Sequence, residues 1–188
     1  TKLDSIKDLQ DKTILAYSQG GTPDIILQYA LSKNNVNAVI KYRPSLTEVV
    51  PFFVQGKYHY ILAAEPVITN LKVNKNKELN VLKLQDVVDA PIKQAAIFVN
   101  PDSTKQDSIN VVIDKIKDNI ENMNKNPEVY ANSIIEKDVY FKDLTANIMS
   151  QSIPNSNLDF VKAKENIAKV ESYLTMIGYK LPDEAFYR

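Results

Sequence analysis

Two stretches carry residues able to hold a small molecule: Ser18-Gln19-Gly20-Gly21-Thr22-Pro23-Asp24 and Ala63-Ala64-Glu65-Pro66. Each follows a short apolar run that reads as a strand and precedes a helical pattern. In the first, the glycines permit a tight turn, Thr22 is expected to cap the helix, and Pro23 to take its first position. In the second, Pro66 is expected to open the helix. Helix starts at the carboxyl ends of parallel strands gather free backbone N–H groups and the positive end of the helix dipole, which is where open α/β sheets take their ligands. On this ground Ser18, Gln19, Gly20, Gly21 and Thr22 read as a cradle of polar and backbone donors for an acidic or carbonyl group; the competing reading is an ordinary glycine turn. Asp24 weakens the strictly anionic version, because its own carboxylate can occupy the positive end of the helix, and a neutral or mixed polar ligand remains admissible. Glu65 reads either as an acceptor for a ligand amine or hydroxyl, or as a first-turn residue that complements the helix dipole.

Arg43 is the only arginine away from the C-terminus. Following a strand and preceding Pro44-Ser45, its planar fork suits a bidentate clamp on a carboxylate or sulfonate, with a solvated turn as the alternative. Tyr17, Tyr42, Tyr58 and Tyr60 border the same strand ends, and Tyr17, next to the glycine corner, is the ring best placed to stack on a flat ligand. His59, the sole histidine, has no partner at metal-ligand spacing, so no metal site is expected. Nucleophile elbows, zinc-protease helices, phosphate-binding loops and dinucleotide fingerprints are all missing, and no cofactor is implied.

The elements that position these residues alternate strand with helix, the pattern of βαβ units around a parallel sheet. Strands are expected at 13–17, 38–42, 59–63 and 80–84, with Gln94 to Val99 as an edge or crossover strand. Ile25 to Leu31 is helical and is closed by Asn34-Asn35. Ser45, with Glu48 at the capping-box position, starts a helix that ends at Gly56 and should break or kink at Pro51. Val67, Ile68 and Leu71 mark the next helix, followed by a polar turn over Lys72 to Lys77. Past residue 103 the pattern is helical: Ile109, Val112, Ile113, Ile116, Ile120 and Met123 form one apolar stripe. Helices are expected after Asn126-Pro127, over Leu144 to Met149, and from Ala163 to Ile177 with Gly178 as its cap. Asn155 to Val161 reads as a brief strand or an extended link.

The 188 residues suit one domain, and lysine plus arginine, 23, equals aspartate plus glutamate, 23, so no net field draws the chain to nucleic acid. No apolar run approaches the roughly 20 residues of a membrane helix. Absence of cysteine excludes disulfides and thiolate chemistry.

Taken in order, the Gly-Gly-Thr-Pro-Asp corner, the amphipathic helix ending at Gly56, the aromatic strand and Glu65-Pro66 resemble the second lobe of substrate-binding proteins of bacterial ABC importers. The branch resembled is the one that groups sulfonate, taurine, nitrate and thiamine-precursor binders. Ser5-Ile6-Lys7-Asp8-Leu9 is similar to the phrase introducing that lobe, and Gly178-Tyr179-Lys180-Leu181-Pro182 through Phe186-Tyr187 to its usual ending. The resemblance implies a periplasmic-binding-protein-like type II lobe over 1–102, a mainly parallel sheet flanked by helices, with a helical C-terminal tail over 103–188 that packs partly on a missing first lobe. It implies a binding component and not an enzyme: an extracytoplasmic, lipid-anchored or periplasmic protein that captures a small polar organic solute or oxyanion and delivers it to an ABC permease in the membrane. Without the first lobe, the tail's apolar stripes are expected to find a homodimer partner or a separately supplied lobe. Two other classes share this fold: enzymes of pyrimidine- or menaquinone-pathway type, and effector-sensing domains of regulators.

Overall fold

A computed structural model describes residues 3–75, 78–88, 91–93, 95–183 and 186–187. The architecture is α/β. Three parallel strands, β1 (Thr13–Tyr17), β2 (Val39–Arg43) and β3 (Tyr60–Ile61), lie in the order β2-β1-β3. Helix α1 (Thr22–Lys33) links β1 to β2, and α2 (Leu46–Val54) links β2 to β3. Thr13 pairs with Val39 and Tyr17 with Arg43, while Ile14 and Leu15 pair with Tyr60 and Ile61, so the expected adjacency of the first and third strands holds. Central β1 is buried through Ile14, Leu15 and Ala16, as a strand covered on both faces must be.

Side chains on successive strand residues point to opposite faces. Ile14, Ala16, Ile40, Tyr42, Tyr60 and Leu62 accordingly join one core with Ile26, Leu27, Ala30 and Leu31 of α1. Leu15, absent from that core, and Val49 of α2 are both fully buried, and α2 packs on all three strands.

Each helix end has a legible cause. Asn35 takes a left-handed φ of 53° after α1, and the N–H groups of Asn35 and Val36 donate to the carbonyls of Ser32 and Leu31. Gly56 does the same after α2 at φ 73°, with Gly56 and Lys57 donating to Phe53 and Phe52. In both, the paired bonds satisfy carbonyls that a helix end leaves open.

Helix α2 runs unbroken through Pro51, contrary to the expected break. The proline removes a bond to the carbonyl of Thr47, but both residues are exposed, so the loss falls on the solvent-facing side of the helix. The expected capping box at Ser45 is also absent: the Ser45 hydroxyl bonds the Glu48 carboxylate at 3.2 Å instead of a backbone N–H. Residues 80–84 form no strand; Leu82 reaches the first core from irregular chain and Leu84 from the start of a short 3-10 turn over Leu84–Asp86. Residues 95–99 form no strand either, and Ile97 and Phe98 are exposed; Gln94 lies outside the described residues. No strand occurs over 155–161.

Helix α3 (Val67–Asn74) covers the first part of the polar turn expected at 72–77, of which 76 and 77 lie outside the described residues. Four further helices follow: α4 (Gln106–Lys125), α5 (Pro127–Lys137), α6 (Ala146–Asn155) and α7 (Ile167–Met176). Pro127 opens α5 after Asn126, as expected, and the Thr145 hydroxyl caps α6 by accepting the Ile148 N–H at 3.3 Å.

The chain forms two compact units. One comprises Thr1–Ala63, Leu79–Ala95 and Lys162–Arg188; the other comprises Ala64–Glu78 and Ala96–Val161. The first holds the sheet, and Tyr173 of α7 is buried in its core. The second has its own core of Ala131, Met149 and Ile153, with Met123, Ile134 and Leu144 packed against it. The sequence boundary at 102 followed a change of pattern along the chain, whereas these units follow contacts in space.

Candidate functional site

With order β2-β1-β3, the chain leaves β1 toward one side of the sheet and returns on the other. The carboxyl ends of β1 and β3 therefore flank a topological switch point, the position at which open α/β sheets take their ligands. Tyr17 and Ser18 end one side of it, and Leu62 and Ala63 end the other, with the Leu62 N–H donating to the Leu15 carbonyl at 3.0 Å. Among the expected site residues, Tyr17, Ser18, Gln19, Gly20, Gly21 and Thr22 all belong to this corner. Ser18, Gln19 and Gly20 are exposed, and Tyr17, Gly21 and Thr22 are half-buried.

The corner is a tight loop with two left-handed residues, Ser18 at φ 51° and Gly20 at φ 76°. The Gly21 N–H donates to the Ser18 carbonyl at 2.8 Å. A Cβ at Gly21 would stand 2.9 Å from that same oxygen, so glycine is required there for close approach. Gly21, not Thr22, is the N-cap, and Thr22 and Pro23 are the first two helical residues. The expected Thr22 cap is therefore not made. Burial pushes the Tyr173 pKa up, and the Thr22 hydroxyl pulls against that rise.

Asp24, the third residue of α1, ties the corner to the helix without capping it. Its side chain is fully buried, and its carboxylate accepts the Gly20 N–H at 2.8 Å, the Gln28 Nε2–H at 2.9 Å and the Tyr42 O–H at 2.9 Å. The negative charge sits in the first turn of α1, where the helix dipole favours an anion. Burial, and next the Asp24 hydrogen bond and charge, push the Tyr42 pKa up to about 12, so Tyr42 keeps the proton it donates. Tyr42 is thus a partner of the internal carboxylate. Burial also raises the Tyr17 pKa.

Arg43 ends β2 in register with Tyr17. Its guanidinium lies 4.6 Å from the Phe52 ring centroid, and its Nη1–H donates to the Tyr42 carbonyl at 3.4 Å. The Lys57 ammonium is 5.5 Å from the same ring, and Tyr58 meets it edge-on at 6.1 Å. Strand alternation puts Arg43 and Tyr42 on opposite faces of β2.

Glu65 belongs to the second unit. The bond from Glu65 to Pro66 is cis, and α3 begins at Val67, one residue later than expected. The Glu65 carboxylate accepts the Thr69 N–H of the first turn at 3.0 Å. His59 is exposed, and among the described residues no cluster of histidine and carboxylate side chains has the makings of a metal site. No helix among them is long and apolar enough to cross a membrane.

Sequence reasoning placed Tyr42 among cleft rings and Asp24 among helix-start residues, but did not join them. The signal was present: a tyrosine on the inward face of β2 needs a partner for its hydroxyl, and a carboxylate at the third position of a helix is the acceptor nearest in topology. Compared with models of protein families, with curated proteins and with solved structures, the chain shows no significant match.

Proposed function

We propose that this chain is the second-lobe portion of a solute-binding component of an ABC importer, with its ligand held at the carboxyl edge of β1 and β3. The single observation that supports this most is the open glycine corner, Ser18 to Gly21, at the switch point of a β2-β1-β3 parallel sheet. Exposed Ser18 and Gln19 offer polar groups, and Tyr17 offers a ring edge beside them. In the mechanism the resemblance implies, solute docks at this corner, a first lobe closes over it, and a membrane permease receives it.

The state of Asp24 narrows the solute. Its buried carboxylate already occupies the positive end of α1 and consumes the Gly20 N–H. A second anion brought there meets like charge and finds that donor engaged. A neutral or cationic organic solute, with a flat ring and hydrogen-bonding edges, fits better than an oxyanion.

Isothermal titration with an aminopyrimidine, taurine and nitrate tests the reading. Heat of binding is expected from the aminopyrimidine and its loss in Ser18→Trp, which fills the corner while leaving the core untouched. Equal binding by wild type and Ser18→Trp places the ligand elsewhere, and binding of nitrate alone contradicts the solute class.

A further inference from the structure

The sheet has two edges, and the chain treats them differently. Strand β3 is two residues long, and brevity is one way proteins blunt an edge against added strands. Strand β2 is five residues long, holds neither proline nor bulge, and among the described residues no strand lies on its outer side. The Val39 N–H donates to the Lys12 carbonyl at 2.8 Å, which fixes the phase of the ladder. The N–H and C=O groups of Val39, Lys41 and Arg43 therefore face β1, and those of Ile40 and Tyr42 face outward. Of these four outward groups, the Tyr42 carbonyl accepts the Arg43 Nη1–H at 3.4 Å, and the other three have no partner among the described residues.

Val39, Lys41 and Arg43 also share one side-chain face of the strand. Val39 and Lys41 are exposed on it. Arg43 lies at its end, and its bond to the outward Tyr42 carbonyl brings the guanidinium to the open edge. Among the described residues no carboxylate pairs with Lys41 or Arg43.

We infer that the outer edge of β2 is a docking site for an extended acidic segment of another protein, which adds antiparallel as a fourth strand. Backbone bonds to Ile40 and Tyr42 supply the attachment, and the side chains opposite Val39, Lys41 and Arg43 supply the choice of partner. The partner's alternate residues are two acids followed by an aliphatic: carboxylates against Arg43 and Lys41, and the aliphatic against Val39. Lys41 decides between occupants. Its opposite number in an antiparallel partner forms a non-hydrogen-bonded pair, the closer kind, with Cα atoms about 4.5 Å apart. A second copy of β2 that overlapped all five residues would set Lys41 against Lys41 there, a like-charge pair that opposes the contact. An acid at that point turns repulsion into attraction. A lobe that closes over the carboxyl ends of the strands addresses a different surface from this flank of the sheet.

Amide exchange and amide shifts on the 188-residue chain are the test. In the free chain the Lys41 amide, bonded to β1, should exchange slowly, and the Ile40 and Tyr42 amides fast. The probe is a capped seven-residue peptide in which threonines alternate with glutamate, glutamate and valine. At millimolar concentration it should shift the Ile40 and Tyr42 amides saturably and slow their exchange, whereas a peptide with lysine in place of both glutamates should not. Lys41→Glu, at an exposed position, should weaken the glutamate peptide by about tenfold with unchanged circular dichroism, since one attraction becomes a repulsion. Ile40 and Tyr42 amides as slow as Lys41 in the free chain would show the edge already covered and overturn the inference. So would shifts there that grow with the concentration of the chain alone, no binding of the glutamate peptide, equal binding of the two peptides, or equal binding of the glutamate peptide by wild type and Lys41→Glu.

Discussion

Tyr42→Phe isolates the interaction that organises the glycine corner. The substitution keeps the ring in the core and deletes one of the three donors to the Asp24 carboxylate. A hydrogen bond to a charged, water-excluded acceptor contributes about 1.5–3 kcal/mol, so the variant should lose about that much stability. At about 2–4 °C per kcal/mol for a chain of this size, the melting temperature should fall by about 3–12 °C. Asp24→Ala strips the acceptor from all three donors and should cost more, since each neutral donor left without a partner away from water adds about 1–3 kcal/mol. The double variant should cost less than the two singles summed, because Tyr42 has no carboxylate left to lose. Urea unfolding followed by far-ultraviolet circular dichroism gives all three values, and the chain's lack of tryptophan is no obstacle to it. A Tyr42→Phe variant within about 0.5 kcal/mol of wild type, or strict additivity of the pair, would refute the assignment of Asp24 as the internal anion of α1.

Alkaline titration gives a second check: the Tyr42 pKa is raised to about 12, so the folded state holds its proton more tightly than the unfolded chain. That contribution is present in full below pH about 10 and is lost as pH rises toward about 12, and the wild-type advantage over Tyr42→Phe should shrink across this window. Gly21→Ala, whose Cβ would meet the Ser18 oxygen at 2.9 Å, should displace the corner, seen as changed amide shifts for Ser18 to Thr22 with the sheet amides unmoved. Thr22→Ala removes no cap, so by thermal unfolding its cost should fall below the about 1 kcal/mol that losing a helix cap brings. Leu15→Ala, at a fully buried position of the central strand, should cost about 2–5 kcal/mol, and a loss under 1 kcal/mol by the same unfolding assay would contradict the packing of α2 on the sheet.

The sheet was legible because the βαβ signal is local: Thr13–Tyr17 is an apolar run closed by a glycine corner, and the helices after it end at Asn35 and Gly56, whose left-handed backbones close their last turns. What composition could not tell was which apolar runs pair. Asn80 to Leu84 looks like a strand, yet two leucines packed from irregular chain and a short 3-10 turn leave the same pattern. The Gln94–Val99 run carries Ile97 and Phe98, exposed side chains that hydropathy alone assigns to a core. At the site, the corner residues were found by their types, but the cap was misassigned. The N-cap is Gly21, one residue earlier and without a capping side chain, while Asp24 is held inward by Tyr42, a strand away in sequence. Glu65 illustrates the same limit: a carboxylate before a helix serves a ligand or its own first turn, and here one oxygen accepts from Thr69.

The central claim is that the corner between the ends of β1 and β3 holds a neutral or cationic organic solute. Amide chemical shifts of Ser18, Gln19, Gly20 and Gly21, followed while an aminopyrimidine and then nitrate are titrated into the 188-residue chain, test it most directly, since they detect even millimolar binding and locate it. Saturable shifts at these four amides with the aminopyrimidine, and none with nitrate, are the predicted result. Nitrate-driven saturation at Gly20 and Gly21, or aminopyrimidine shifts confined to residues away from the corner, would contradict it.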